Sequence, residues 1–125
     1  MAIYANGVYG DGVSSLLTVA ETASWIPQAG RIFSEEEVFA IIAFLAAEPA
    51  AGDLIPGTGG VRKLRWGVEG RGKRGGARII YYFHSERMPL YLLAVFTKNE
   101  QADLPPADRA ALRSLVDRLI AAWNL

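Results

Sequence analysis

Basic residues are concentrated in one short segment of the chain. Seven of the thirteen lysines and arginines lie between Arg62 and Arg78 against a single acid, Glu69, so this segment carries a formal charge of +6 in a chain whose net charge is zero. A neutral chain with such an asymmetry can present an electropositive surface to a polyanion while the rest of its surface stays acidic. The alternative interpretation is a basic hairpin that is simply solvated.

Strand alternation predicts which of these side chains can act together, because successive residues of a strand point to opposite faces. On the first of two predicted strands Lys63 and Arg65 share a face, and on the next strand Arg78 and Tyr82 share one. If the apolar sides of the strands pack against helices, these four side chains meet on the open face of the sheet. Lys98, at the end of a third strand, can join them.

Fixed cations beside a tyrosine suit an RNA backbone and its cleavage. Arginine binds phosphate in a bidentate manner, and tyrosine can stack on a base. The same cations would stabilise the extra negative charge of a pentacoordinate phosphate when a 2′-hydroxyl attacks it. A lysine amine in this cluster, Lys63, is a candidate general base. The alternative is that these residues form surface ion pairs with acidic helices.

Composition excludes several classes of site and of protein. The chain has no cysteine and one histidine, which excludes disulfides, iron–sulfur clusters, thiol catalysis and zinc sites that need paired histidines. We therefore expect no metal and no cofactor, and a cytoplasmic protein, since a reducing compartment suits a chain without cysteine. No apolar stretch approaches the roughly 20 residues of a membrane span, and the N-terminus has no secretory signal, so we expect no membrane contact.

Two glycine patterns are similar to phosphate-binding loops. Gly67-x-x-x-x-Gly72-Lys73 matches most of a P-loop, and Gly70-x-Gly72-x-x-Gly75 matches a dinucleotide-binding pattern. Both patterns require a helix to follow, with its N-terminus facing the phosphates. The residues that follow here, ARIIYY, are typical of a strand, so we do not expect nucleotide binding.

The elements that would position the basic residues form a compact α+β domain of order β-α-α-β-β-β-α. Ser34 and Glu37 have capping-box spacing and begin a helix that Pro49 ends. The glycine-rich residues 67–76 are expected to form a long loop. We expect a twisted, mainly antiparallel sheet of about four strands with the helices packed on one face. Residues 14–125 would form this single domain, and residues 1–13 an N-terminal extension.

Three blocks of sequence are specific enough to indicate a family: GDLIPGTGGVRKLRW (52–66), GRGKRGGARIIYYF (70–83) and AVFTKNEQADL (94–104). They closely resemble RelE/HigB-type toxins of bacterial type II toxin–antitoxin systems, and the likeness covers about residues 14–123. The resemblance implies a microbial-RNase-like fold and a ribosome-dependent mRNA endoribonuclease (an mRNA interferase) that inhibits translation by metal-independent cleavage through the 2′-hydroxyl. It implies the ribosome, mRNA and a cognate antitoxin as partners. This antitoxin is often a helix-turn-helix protein, and DNA would be contacted only through it.

The resemblance also implies roles for individual residues. Lys63 and Arg65 match the two basic positions of a RelE strand, and Arg78 matches the arginine that contacts the scissile phosphate. Four further cations would anchor the protein on ribosomal RNA: Arg62, Arg71, Lys73 and Arg74.

The chain departs from the RelE pattern at the general acid. The C-terminal catalytic tyrosine has no counterpart, because the chain reads DLPP at residues 103–106 and ends in WNL. Lys98, Tyr82 and His84 are the candidates for this role. Two other functions stay open: a ParE-type toxin that inhibits a topoisomerase, and a catalytically decayed member that only binds a partner.

Overall fold

The computed structural model describes residues 17–68, 76–98 and 104–125 in full, and residues 2–5, 8–9, 13–14 and 72–75 by their backbone. Among these residues, no helix has the length and apolar character needed to span a bilayer. The strands and helices follow in this order: β1 (Ala2–Ala5), β2 (Val8–Tyr9), β3 (Val13–Ser14), β4 (Thr18–Glu21), α1 (Trp25–Ile32), α2 (Glu35–Ala47), β5 (Asp53–Leu54), β6 (Val61–Val68), β7 (Gly72–Tyr82), β8 (Leu90–Thr97) and α3 (Pro106–Ala122).

Six of the strands form one mixed sheet in the order β1-β4-β8-β7-β6-β5. Its neighbours are antiparallel except for β4 and β8, which run parallel. The four predicted strands are the inner ones, and β1 and β5 extend the sheet at its two edges. The predicted α+β class is therefore confirmed, with a mainly antiparallel sheet.

Helices cover both faces of this sheet, so the expectation that they pack on one face is wrong. On one side, which we call the α1/α2 face, Trp25 and Ile41 pack in a common core with Ile79 of β7. On the other side, the α3 face, Val116 packs in a second core with Ile80. Both isoleucines are fully buried although they are adjacent in one strand. A strand that is apolar on both sides needs cover on both sides.

The glycine-rich residues 67–76 form less loop than the sequence predicts. β6 continues to Val68 and β7 already begins at Gly72, and these two residues are paired across the ladder. A register shift between Trp66 and Val68 marks an irregularity of the kind that glycine accommodates. Ladder hydrogen bonds use only the backbone, so the pairing persists where side chains are absent.

Helix α2 begins as the sequence predicts. The Ser34 hydroxyl accepts a hydrogen bond from the Glu37 N–H at 3.1 Å, and the Glu37 carboxylate accepts one from the Ser34 N–H at 3.0 Å. This reciprocal pair satisfies two N–H groups that the first turn of a helix leaves unpaired. The capping box thus fixes where α2 starts.

The loop between α2 and β5 is held against the sheet by Tyr81 and Arg62. The Tyr81 hydroxyl donates to the Pro49 carbonyl and accepts from the Gly52 N–H, both at 2.8 Å. Arg62 Nη1 donates to the carbonyls of Ala50 at 3.2 Å and Gly52 at 2.7 Å. A β-carbon at Gly52 would lie 2.9 Å from the Tyr81 ring, so the close approach requires glycine. This clamp positions β6, the strand that carries the first basic residues.

Candidate functional site

The end of the β6–β7 ladder forms an open cleft of about 220 Å³. It is lined by Arg65, Trp66, Gly67, Gly76 and Arg78. Arg65 and Arg78 are direct partners across the ladder, which places their β-carbons about 4.5–5.5 Å apart on the same face. The sequence predicted that these two arginines share a face, and the register brings them side by side.

The pairing of two arginines is electrostatically unfavourable, because like charges directly opposite each other destabilise a sheet. Arg65 is exposed and Arg78 partly so. Arg78 Nη1 makes one long hydrogen bond, 3.5 Å, to the Ala77 carbonyl. Neither guanidinium forms a salt bridge with a carboxylate in the part of the chain that the structure describes. A bound anion would relieve this repulsion.

Two lysines flank the arginine pair. Lys63 lies two residues before Arg65 on the same face of β6 and pairs with Ile80. Lys98 is exposed directly after β8, and its backbone N–H donates to the Gly76 carbonyl at 3.3 Å. Since Gly76 lines the cleft, Lys98 lies beside it. The structure therefore brings four of the predicted site residues to one end of the sheet.

Tyr82 and His84 lie away from the cleft. Tyr82 is four residues along β7 from Arg78, about 13 Å at strand spacing, and only 3% of its surface is exposed, because α3 covers it. Burial, and secondarily the charge of Asp117, raises the pKa of the Tyr82 hydroxyl. His84 lies two residues beyond the end of β7, farther from Arg78 than Tyr82 along the chain, and its Nδ1 lies 3.0 Å from the Ser85 hydroxyl. The open face expected around Tyr82 is thus covered. Of the three candidates for the general acid, Lys98 adjoins the arginines.

The cations predicted to contact ribosomal RNA have different locations. Arg62 is on the opposite face of β6 from Lys63, where it holds the α2–β5 loop, a structural role that the charge pattern alone does not indicate. Lys73 and Arg74 belong to the first residues of β7, and their side chains lie outside the described part of the chain. Arg71 lies outside the described residues altogether.

A scan against protein-family models matches residues 34–124 to the RelE toxin of RelE/RelB toxin–antitoxin systems. The chain belongs to the RelE toxin family. The matched residues include α2, the strands β5 to β8 and α3, and therefore the whole cleft. Family membership confirms the resemblance drawn from the three sequence blocks, and it makes this protein a toxin with a cognate antitoxin as its partner.

Trp66 is also among the residues that line this toxin's cleft. Trp66 alternates with Arg65 to the α1/α2 face of β6, where its side chain packs against the core of that face. It is partly buried, and it packs edge-on against Phe44 of α2 with ring centroids 5.6 Å apart and planes at 66°. Its position in the chain next to the basic residues is the signal by which the sequence indicates that it adjoins the cleft.

The described part of the toxin contains no group of three histidine, aspartate or glutamate side chains close enough to share a metal ion. Among the described residues, the charged side chains that line the cleft belong to Arg65 and Arg78, and the exposed Lys98 adjoins it. These would hold a phosphate rather than a metal or a cationic cofactor.

Proposed function

We propose that this RelE-family toxin is an endoribonuclease that cleaves mRNA on the ribosome and thereby inhibits translation. The observation that carries the proposal is the cross-strand pair of Arg65 and Arg78 in an open cleft. Arginine stays charged at any physiological pH and matches the oxygen geometry of a phosphodiester. An RNA backbone supplies the anion that would offset the repulsion between the two guanidinium groups.

The proposed reaction is attack of a ribose 2′-hydroxyl on the adjacent phosphorus. The bond from the 2′-oxygen to phosphorus forms, the bond from phosphorus to the 5′-oxygen breaks, and the products carry a 2′,3′-cyclic phosphate and a 5′-hydroxyl. Arg65 and Arg78 stabilise the charge that builds up on the phosphate oxygens. Lys63 takes the proton of the 2′-hydroxyl or acts as a further cation, and Lys98 donates a proton to the leaving 5′-oxygen. Tyr82 has no role in this scheme, since it is buried under α3.

The first test is Arg78→Ala, with Arg65→Ala as its partner and Arg31→Ala as the matched control. Arg31 is an exposed arginine in the last turn of α1, away from the cleft. Loss of one preorganised charge-stabilising group lowers kcat by about 10²–10³, so we expect both cleft variants to lose cleavage of a translated message and growth arrest on induction. The control should keep both activities.

The products are measured by mapping 5′ ends on a message that is translated in a reconstituted system, with thermal unfolding as the check that each variant folds. An Arg78→Ala protein that cleaves as fast as wild type would contradict the proposal. Growth arrest with an intact message would indicate a topoisomerase inhibitor instead. A folded protein that causes no arrest would be a module that only binds its partner.

A further inference from the structure

We propose that a pocket between α1 and α2 binds one basic side chain, an arginine or a lysine, of the cognate antitoxin. The pocket lies on the α1/α2 face next to the end of β4. Arg65 and Arg78, by contrast, line the cleft at the end of β6 and β7, and β8 separates β4 from β7 in the sheet. The inference therefore concerns a second site, and it does not depend on the proposed nuclease activity.

The pocket combines apolar walls with two carboxylates. It is open and has a volume of about 300 Å³. Ile26 and Ala29 of α1 and Val38 of α2 contribute apolar surface, whereas Glu21 of β4 and Glu35 of α2 contribute the acids. Lysine and arginine have the complementary composition, because each carries a charged head on an aliphatic stem that packs well on apolar surface.

Glu21 is the deeper of the two acids, since only 7% of its surface is exposed whereas Glu35 is exposed. One of its carboxylate oxygens accepts a hydrogen bond from the Nε1–H of the fully buried Trp25 at 2.8 Å, which fixes the group in place. No described residue gives it a second side-chain hydrogen bond or an ion pair. A carboxylate removed from water is costly in its charged form unless a cation pairs with it. A basic side chain that enters the pocket would supply this cation.

The charge of the surrounding surface favours a basic protein segment over RNA as the occupant. Residues 62–78 carry +6 in a chain of zero net charge, so the remainder of the chain carries −6. Three consecutive glutamates occupy the first turn of α2 beside the pocket: Glu35, Glu36 and Glu37. Carboxylates repel the phosphates of RNA, whereas a basic segment meets a complementary potential. The antitoxin is the protein partner that membership of the RelE toxin family supplies.

Gly30 of α1 is a position where the pocket can be filled without damage to the fold. It lines the pocket, and a β-carbon built on it would meet nothing within 4 Å. It also lies inside a helix, where glycine is less favourable than residues with a side chain. Gly30→Leu should therefore occupy the space of the antitoxin side chain, and its melting temperature should not fall.

The test is the dissociation constant of full-length toxin and antitoxin, separated from their complex in denaturant, refolded and titrated by calorimetry. Glu21→Gln keeps an acceptor for the Trp25 Nε1–H but removes the charge. We expect it to bind the antitoxin about 10- to 150-fold more weakly, the loss that corresponds to one charged hydrogen bond. Gly30→Leu should also bind more weakly. Glu86→Gln, the same substitution at an exposed acid between β7 and β8, should bind as wild type does.

Variants of the antitoxin identify the inserted side chain. Each of its lysines and arginines is replaced in turn by glutamine, and one replacement should lower the affinity by a similar factor. This variant should lose no further affinity with Glu21→Gln, because both changes remove the same contact. The proposal is overturned if Glu21→Gln weakens binding by one constant factor with every antitoxin variant.

Wild-type affinity in both Glu21→Gln and Gly30→Leu would also overturn the proposal. If Glu21→Gln does not fold, the affinity of Gly30→Leu decides alone. A wild-type toxin that self-associates through this pocket, with monomeric Glu21→Gln and Gly30→Leu variants, would show that a second copy of the chain is the occupant instead. The titration contains no RNA, so a toxin that fails to cleave messages would contradict the proposed function and leave this result standing.

Discussion

The two faces of the sheet use their polar side chains in opposite ways. On the α1/α2 face, Arg62 and Tyr81 direct their hydrogen bonds to carbonyl and N–H groups of the α2–β5 loop. At the cleft end of the α3 face, Arg65 and Arg78 stand opposite each other with no carboxylate partner among the described residues. The first arrangement stabilises the fold, and the second is unfavourable until an anion binds. This difference separates structural cations from functional ones within a single basic segment.

The largest expected effect comes from a pair of adjacent cations on opposite faces, Lys63 and Arg62. Lys63→Ala should lower the cleavage rate by about 100-fold or more, the usual contribution of a positioned acid–base group, and should cost less unfolding free energy than Arg62→Ala. Arg62→Ala should do the reverse, with a loss of about 1–3 kcal/mol of unfolding free energy, because two carbonyls lose a charged donor.

Cleavage assays and denaturant unfolding of both variants test this prediction. An Arg62→Ala variant that loses cleavage but keeps full stability would contradict the structural role assigned to Arg62. A Lys63→Gln variant, which keeps a side chain of similar length without the charge, separates the loss of charge from the loss of packing.

A second pair, Tyr81 and Tyr82, tests the same contrast on β7. Tyr81→Phe should cost about 1–3 kcal/mol of unfolding free energy, because the Gly52 N–H and the Pro49 carbonyl are left without their partner. Tyr82→Phe should change stability by much less, since no hydrogen bond of its hydroxyl is seen among the described residues. It should also keep its cleavage rate. A Tyr82→Phe toxin that folds but does not cleave would show that α3 moves to expose this hydroxyl.

The raised pKa values of Tyr81 and Tyr82 predict that the folded toxin loses stability at alkaline pH. Burial raises the pKa of both hydroxyls above the ordinary tyrosine value of 10.0. The folded state therefore holds these protons more tightly than the unfolded chain, so the stabilisation is fully present below about pH 10 and is lost as pH rises toward the folded pKa values. Thermal unfolding between about pH 8 and pH 12 should show this fall for wild type. A smaller fall is expected for Tyr81→Phe, and an unchanged slope in that variant would contradict the assignment.

The smallest expected effect is at the start of α2. Ser34→Ala removes the capping box and should cost about 1 kcal/mol of unfolding free energy, without a change in the cleavage rate of the folded protein. Ser34→Asp, which retains an N-cap acceptor, should recover most of the loss. Differential scanning calorimetry measures both. A cleavage defect in Ser34→Ala would mean that α2 also orients the cleft, through the contact of Phe44 with Trp66.

Local sequence rules predict much of the molecule because they depend on near neighbours in the chain. The capping box of α2 is formed by residues three apart, and it is found as predicted. The shared face of Lys63 and Arg65 follows from alternation within one strand. The extent of β6 and β7 was harder to predict, because pairing of Val68 with Gly72 depends on backbone hydrogen bonds that leave no mark in side-chain type.

The sequence by itself determined the family, through blocks whose residue order is too specific to arise otherwise, and it determined which basic side chains share a face. Only the tertiary structure decided which of them stay accessible. Val116 of α3 covers the part of the sheet around Ile80, and the register of β6 and β7 sets Arg65 directly opposite Arg78. These are contacts between residues distant in the chain, set by the packing of whole elements, and no local pattern of residue types encodes them.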